Sequence, residues 1–274
     1  DNFTRHVIDT ALQGTQIFKI SQISRKKLLI ASYKGFFVYE IDKKRFVQLI
    51  KNISVRDFTW KNQSILLLAT EYHGVIEFDI SHYKTIKSYS LLIPNYSDTE
   101  NQIVFKFCRD KKGKIWAVTS YGGLFHFNEK DDKFTFSPVM LKGKRFTEEL
   151  LFIFNDSDDN LLITGINSGL IYYNKKTNTC WNYATNTSNQ KGLTSNTITD
   201  IFQDNNGTLW LSTHRGGVHY YNKTFSTITQ FFSGEDIASL SGNTVSSIIE
   251  GPDKTVIVGT DGGGINVLNC RTNL

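Results

Sequence analysis

The sequence predicts an all-β fold, namely a β-propeller built from four-stranded antiparallel blades. Three observations support this prediction: the composition, a repeat that recurs six times, and strands that are apolar on both faces. The 274 residues include 20 Phe, 12 Tyr and 20 Gly but only 3 Pro, and such a composition is typical of β-sheet proteins. We expect one propeller domain, or a fragment of a larger propeller assembly.

The repeat is clearest between residues 104–128 and 198–222, which align without a gap. Trp116 coincides with Trp210 and Gly123 with Gly217, and an Asp before the Trp, a Thr after it and an Asn after the Gly also coincide. Self-similarity at a fixed period, here about 46 residues, indicates a repeat architecture. The repeats are predicted near residues 11–50, 51–90, 101–137, 147–184, 193–232 and 240–274, with residues 1–10 as a closing strand.

Each repeat contains four short strands in sequence order. In the fifth repeat these strands are predicted over Thr197–Gln203, Thr208–Ser212, Val218–Tyr221 and Phe225–Phe231. Asp-x-x-Gly and Gly-Gly turns separate them and supply the positive φ angles of tight hairpins. The second strand of most repeats is apolar on both faces, as in residues 115–118. Both faces must therefore be covered, which the radial stacking of blades achieves.

The ends of the chain leave two arrangements open. Residues 3–8 look like an isolated fourth strand, and the last repeat ends after its third strand. Pairing these segments would close a ring of six blades and remove its last open sheet edges. Alternatively, the six repeats belong to a longer propeller.

Charge and cysteine content exclude several classes of function. The 31 basic and 26 acidic residues give a net charge of +5, and the basic residues are scattered rather than arranged along one element as nucleic-acid binding requires. The three cysteines form no C-x-x-C pair. No apolar run is long enough to cross a membrane, so we expect membrane association only through segments absent from this sequence.

No catalytic motif is present. We therefore expect no catalytic residue, no bound metal and no cofactor. The six histidines lack metal-ligand spacing, and there is no nucleophile elbow or phosphate-binding loop. His214 and Glu71 are the only acid–base pair that could be considered for a lyase or hydrolase. Asp110, Asp156 and Asp204 are predicted to form turns rather than Ca²⁺ sites.

Four further polar and aromatic residues carry structural predictions. Asn196 and Asn243 precede first strands and are expected to hydrogen-bond their own turn backbone. Trp210, like Trp116, is expected in the core, whereas Trp181 in an outer strand is expected to be partly exposed.

The loops between second and third strands are the predicted ligand-binding region. They read as three residues each, with Tyr33, Tyr72 and Tyr121 in the middle of the first three. Tyrosine rings stack on sugar rings, and their hydroxyls bond sugar hydroxyls; alternatively, each tyrosine packs against the neighbouring blade. The predicted ligand-binding residues are Tyr33, Lys34, Tyr72, His73, Tyr121, Asn167, His214, Arg215 and Asp261.

Residues 193–222 resemble the two-component regulator propeller repeat, and residues 240–268 and 104–128 are similar to it. The resemblance implies the periplasmic sensor region of an inner-membrane hybrid two-component histidine kinase, as found in Bacteroides and its relatives. It implies an oligosaccharide or glycan fragment as the ligand, and a neighbouring propeller or β-sandwich domain of the same chain as a partner, with a homodimer left open. The alternative is a protein-interaction scaffold propeller.

Overall fold

The computed structural model describes residues 12–96, 102–185, 192–222, 227–234, 239–252 and 255–269. These residues form 25 β-strands and no α-helix. Apart from one short hairpin, the strands make six antiparallel sheets, which are the blades of a β-propeller. The predicted all-β propeller fold is thus confirmed. In this part of the chain no helix has the length and hydrophobicity to cross a membrane.

The first three sheets each contain four strands. Sheet 1 consists of β1 (Ile17–Ser24), β2 (Lys27–Ser32), β3 (Gly35–Glu40) and β4 (Arg45–Lys51). Sheet 2 consists of β5 (Val55–Trp60), β6 (Ile65–Thr70), β7 (Val75–Asp79) and β8 (Lys84–Tyr89). Sheet 3 consists of β9 (Val104–Arg109), β10 (Ile115–Thr119), β11 (Gly123–Asn128) and β12 (Lys133–Phe136). The hairpin that follows, β13 (Met140–Leu141) and β14 (Lys144–Arg145), has no counterpart in the predicted repeats.

The remaining sheets follow the same meander order. Sheet 4 consists of β15 (Leu150–Asn155), β16 (Leu161–Gly165), β17 (Leu170–Asn174) and β18 (Thr179–Tyr183). Sheet 5 consists of β19 (Ile198–Gln203), β20 (Leu209–Thr213), β21 (Gly217–Asn222) and β22 (Thr227–Phe231). Sheet 6 consists of β23 (Val245–Glu250), β24 (Thr255–Thr260) and β25 (Gly264–Asn269). The predicted closing strand, residues 1–10, and the predicted start of the last strand of the fifth repeat at Phe225 lie outside the described residues.

The described residues fall into two compact units. The first contains those within residues 1–107, 115–120 and 125–137, and therefore sheets 1 and 2. The second contains those within residues 108–114, 121–124 and 138–274, and therefore sheets 4, 5 and 6. The residues of sheet 3 are shared between the two units.

Apolar rows on facing sides of neighbouring sheets form the core within each unit. In the second unit, Trp210 and Tyr220 of sheet 5 pack against Ile248, Val256 and Val258 of sheet 6. This packing follows from strands that are apolar on both faces, because each face needs its own cover. As predicted, the Trp210 side chain is buried, as is that of Trp116. Trp181 is 41% exposed and stacks on Tyr172, which agrees with its expected place in an outer strand.

The Asp-x-x-Gly turns are built around the aspartate side chain. Oδ1 of Asp204 accepts hydrogen bonds from the backbone N–H groups of Asn206 and Thr208, each at 2.9 Å. Asp110 accepts the equivalent pair of bonds in its own Asp-x-x-Gly turn, and Asp156 does so in a turn where Asp159, with a φ of 66°, stands at the glycine position. Their predicted role as turn formers is therefore confirmed.

The asparagines before the first strands do not bond their own turns, so that prediction is wrong. Oδ1 of Asn196 accepts from the N–H of Thr185, at 2.6 Å, and its carbonyl accepts from the N–H of Gly169, at 2.8 Å. Asn243 makes the equivalent contacts one repeat later. Each asparagine thus ties the loop before one sheet to the end of the previous sheet. Its partners lie next to it only after the sheets have stacked, so the local sequence does not indicate them.

Candidate functional site

Two tyrosines of the first unit lie on neighbouring loops and are largely exposed. Tyr33 occupies the turn between β2 and β3, and Tyr72 the loop between β6 and β7; their side chains are 59% and 56% exposed. Tyr72 has a positive φ of 66°, a conformation that is costly for a non-glycine residue. Its N–H donates to the carbonyl of Gln102, at 3.0 Å, which holds it in place.

These two tyrosines line one cleft with a volume of about 560 Å³. A cleft of this size lies in the range of small-molecule sites. The connection between β4 and β5 forms a further part of its wall. The lining residues are Tyr33, Lys34, Gln48, Asn52, Ile53, Ser54, Glu71, Tyr72 and His73.

Hydrogen bonds hold the polar residues at the tip of the first loop. Nε2 of Gln48 donates to the carbonyl of Lys34, at 3.1 Å, and Nζ of Lys34 donates to the carbonyl of Gln13, at 3.1 Å. In the second loop, Nδ1 of His73 lies 2.9 Å from the carbonyl oxygen of Glu71. A carbonyl only accepts hydrogen bonds, so in this contact Nδ1 carries the proton and Nε2 faces away from the carbonyl.

Glu71 is the one acidic residue in the cleft lining, and a buried ion pair fixes it. Its Oε1 lies 2.7 Å from Nε of Arg56. The guanidinium of Arg56 lies between the rings of Phe18 and Phe105, 4.4 and 5.3 Å from their centroids. Cation–π contacts of this kind restrict the conformation of the Arg56 side chain, and the ion pair in turn restricts the position of the Glu71 carboxylate. The cleft lining therefore combines a positioned, largely buried carboxylate with two exposed aromatic rings.

The structure brings together four of the nine predicted ligand-binding residues: Tyr33, Lys34, Tyr72 and His73. Tyr121, Asn167, His214, Arg215 and Asp261 belong to the second unit and are absent from the lining of this cleft. Tyr121 is half-buried, and its carbonyl accepts from Arg145 at 3.1 Å. The other four lie in exposed loops.

The loops share a backbone conformation but not the predicted length. Tyr121, Asn167 and Arg215 have positive φ angles of 61°, 55° and 62°, close to that of Tyr72. Only two residues separate β2 from β3, however, and four, residues 166–169, separate β16 from β17. The expectation of three residues in every loop is wrong, since individual repeats end their strands at different points.

Sequence reasoning missed most of the polar cleft lining. Gln48 lies in β4, and Asn52 and Ser54 lie in the connection between β4 and β5, where the sequence has no recognisable motif. Glu71 was considered only with His214 as an acid–base pair, but its carboxylate pairs with Arg56, and His214 is absent from the cleft lining. Within the described residues, no three His, Cys, Asp or Glu side chains are grouped so as to hold a metal ion.

The fifth repeat is similar to a known sequence family. Residues 192–215 match the two component regulator propeller family. The fifth repeat of this chain thus resembles a regulator propeller repeat. The resemblance expected from the sequence is thereby confirmed, and the matched segment runs from the loop before β19 to the loop after β20. No curated protein matches the chain by sequence.

Several solved structures share the fold of this chain at low sequence identity. The extracellular domain of a protein assigned as a one component system from Bacteroides thetaiotaomicron has a TM-score of 0.75 and 20% identity, over 96% of this chain and 34% of that one. An extracellular domain assigned to a hybrid two component system of the same organism has a TM-score of 0.72 and 21% identity, over 92% and 33%. PorZ, a surface component of the type-IX secretion system of Porphyromonas gingivalis, has a TM-score of 0.69 and 16% identity, over 94% and 41%.

The coverage figures show that this chain spans about a third of the length of the first two structures. At these identities the likeness concerns the fold.

Proposed function

We propose that this chain is the ligand-sensing module of a hybrid two-component sensor histidine kinase, located on the periplasmic side of the inner membrane, and that it responds to an oligosaccharide. The regulator propeller repeat at residues 192–215 supports the sensor assignment. So does the likeness to two structures described as extracellular domains of one component and hybrid two component systems. Kinase activity would reside in other parts of the full-length protein, and this segment would be non-catalytic.

The observation that carries the ligand assignment is the cleft between the Tyr33 and Tyr72 loops. Two tyrosine rings, both more than half exposed, flank a cavity of about 560 Å³. Aromatic rings bind the apolar face of a pyranose and lose little conformational entropy when they do so. Glu71, His73 and Lys34 supply acceptors and a donor for hydroxyl groups at the same place.

Calorimetric titration against a panel of neutral and acidic oligosaccharides tests this proposal. The double variant Tyr33→Ala/Tyr72→Ala should weaken binding at least about tenfold, which corresponds to about 1.4 kcal/mol. Tyr183→Ala removes a similarly exposed tyrosine outside the cleft and should bind as the parent does. Tyr121→Ala, measured separately, shows whether the third tyrosine of the predicted set contributes.

Two results would contradict the oligosaccharide assignment. One is the absence of binding to every glycan when the full-length sensor region is titrated. The other is unchanged affinity in the double variant with an unchanged melting temperature, which would place the ligand elsewhere.

A scaffold function is the second candidate. It is favoured by an exposed apolar sheet face at Ile249, Ile265 and Val267 and by the likeness to PorZ, a surface component of a secretion system. A partner protein that binds with unchanged affinity to the Tyr33→Ala/Tyr72→Ala variant, in the absence of any glycan binding, would support the scaffold.

A further inference from the structure

Two side chains beside the Tyr72 loop have buried polar atoms with no hydrogen-bond partner among the described residues. One is Ser54, whose Oγ is shielded from solvent. The other is Gln102, which is only 3% exposed and lacks a partner for both Oε1 and Nε2. Buried polar groups in folded proteins are nearly always bonded, because an unpaired one costs stability. Exceptions of this kind are expected where a functional site requires them.

The backbones of Ser54 and Gln102 are bonded directly to residues of the cleft. The carbonyl of Ser54 accepts from the N–H of Glu71, at 3.1 Å, and the carbonyl of Gln102 accepts from the N–H of Tyr72, at 3.0 Å. Ile103, the residue after Gln102, forms a β-bridge with Glu71. Ser54, Glu71 and Tyr72 all line the cleft. The two residues with unpaired atoms thus lie next to Glu71 and Tyr72.

Other repeats show what a side-chain amide does at the position of Gln102. Gln102, Asn196 and Asn243 each lie two residues before a first strand. The carbonyl of each accepts from an N–H at the junction of the second and third strands of the preceding sheet. The amides of both asparagines also accept from a backbone N–H at the end of that sheet. The amide of Gln102 does not have this structural role, although Gln102 is more deeply buried than either asparagine.

The carboxylate of Glu71 completes a set of three polar side chains. Its Oε1 lies 2.7 Å from Nε of Arg56, so the protein itself already compensates the negative charge. A carboxylate accepts hydrogen bonds, whereas a hydroxyl and an amide both donate and accept them. Ser54, Glu71 and Gln102 therefore offer donors and acceptors without an uncompensated charge.

A neutral sugar matches this set better than an acidic sugar does. Sugar hydroxyls can donate to Glu71 and to the oxygen of Gln102, and they can accept from its NH₂ group; an acetamido group likewise combines a donor with an acceptor. A carboxylate or sulfate group only accepts, so it would leave the oxygen of Gln102 unpaired and would face the carboxylate of Glu71. The ammonium of Lys34, which could attract an anion, is bonded to the carbonyl of Gln13.

We propose that Ser54 and Gln102 are specificity-determining residues of the cleft, and that together with Glu71 they bind the hydroxyl or acetamido groups of a neutral sugar unit. This inference rests on the proposed oligosaccharide function and narrows the ligand to sugars without uronic acid or sulfate groups. The unpaired atoms lower the stability of the free protein and acquire their partners from the ligand. Removing these atoms should therefore weaken binding without lowering stability.

Opposite effects on affinity and on stability test the proposal in the full-length sensor region. Gln102→Leu replaces the amide by an apolar group of similar size. Its melting temperature should be unchanged or raised, and its affinity for neutral oligosaccharides should fall at least about tenfold. Ser54→Ala, a smaller change, should likewise keep its melting temperature and bind more weakly. Calorimetric titration uses cello-, malto-, manno- and N-acetylchito-oligosaccharides as the neutral set and oligogalacturonides as the acidic set.

Asn196→Leu is the matched control. Asn196 occupies the equivalent position of the repeat, its amide is bonded to the N–H of Thr185, and it is absent from the cleft lining. This variant should have a lower melting temperature and should bind as the parent does. The contrast between positions 102 and 196 separates a ligand-binding amide from a structural one.

Four results would overturn the inference. A clear loss of stability in Gln102→Leu would show that the amide is bonded within the protein. Unchanged affinity in both Gln102→Leu and Ser54→Ala, with weakened binding in Tyr33→Ala/Tyr72→Ala, would reject this inference and leave the proposed function intact. Binding of oligogalacturonides alone would contradict the neutral class of ligand. Absence of binding to every sugar would contradict both this inference and the proposed function.

Discussion

Oδ2 of Asp57 in β5 accepts a hydrogen bond from the backbone N–H of Phe107 in β9, with 2.7 Å between the two atoms. Asp57 is fully buried, its Oδ1 accepts from the N–H of Phe58 at 2.8 Å, and the same oxygen forms an ion pair with Nζ of Lys19 at 2.7 Å. In the second unit, Asp200 makes the same contact with the N–H of Ile248, at 3.1 Å. An aspartate at this position of a first strand therefore ties that strand to the first strand of the following sheet.

Asp57→Asn should destabilise the chain by about 3 kcal/mol. The change removes the charge that pairs with Lys19 and turns one acceptor into a donor that faces backbone N–H groups, and leaving one partner of a buried pair uncompensated is costly. Urea denaturation measures the effect. Asp42→Asn, which breaks the exposed pair with Lys26, is the control and should cost less than about 1 kcal/mol. Equal losses in the two variants would mean that the Asp57 contacts contribute little.

Trp210→Ala should destabilise by roughly 3–5 kcal/mol, the range for removing a large aromatic side chain from a core. Trp210 packs in the junction of sheets 5 and 6, and its Nε1 donates to Oδ2 of Asp204, at 3.1 Å. Trp181→Ala, at an exposed position, should cost roughly 1 kcal/mol. A loss at Trp210 no larger than that at Trp181 would show that the junction does not depend on this side chain.

Gly217→Ala and Gly264→Ala form a matched pair at equivalent positions. Both residues have positive φ angles, so each alanine carries a backbone cost of about 1–2 kcal/mol. Among the described residues, only at Gly217 would the new methyl group also collide with a fourth strand, at the carbonyl of Phe231. In thermal melts of the 274-residue chain, Gly217→Ala should therefore lower the melting temperature clearly more than Gly264→Ala. Equal shifts in melting temperature would indicate that β22 moves to accommodate the new methyl group at little cost in stability.

The stability of the second unit should fall as the pH drops from about 6.5 towards 4. Burial lowers the pKa of His219 from its ordinary value of 6.5 to about 4. The neutral ring accepts at Nε2 from the N–H of Thr194, at 3.3 Å, and its Nδ1 is buried without a hydrogen-bond partner. Between these pH values the unfolded chain binds a proton that the folded chain does not, so folding weakens by on the order of 3 kcal/mol over this window.

Chemical denaturation at a series of pH values measures this linkage. His219→Gln should flatten the dependence between pH 4 and 6.5, because glutamine does not titrate. His214→Gln, at an exposed histidine of the same sheet, is the control and should retain the slope. A slope that is unchanged in the His219→Gln variant would assign the pH dependence to other groups.

The sequence by itself determined the fold class, the four-stranded repeat and the buried tryptophans. These features are local: the aspartate and glycine of each turn bond within the same hairpin, as Asp204 and Gly207 do, and the two apolar faces of a strand such as β20 can be read from consecutive residues. The positions of the loops between second and third strands were also predicted from the repeat. A periodic pattern repeats the same local physics, and local physics is what a single sequence shows directly.

Only the tertiary structure decided which of these loops share a cleft and what fixes their side chains. Tyr33 and Tyr72 line one cavity, and Glu71 pairs with Arg56, because two sheets stack and bring together residues that are distant in the chain. Asn196 bonds Thr185 for the same reason. Similarly, Ile249, Ile265 and Val267 of sheet 6 are as apolar as the residues at equivalent positions of the preceding sheets. Their exposure is visible only in the folded chain. Contacts between repeats depend on how whole sheets pack, which the periodicity of one chain does not specify.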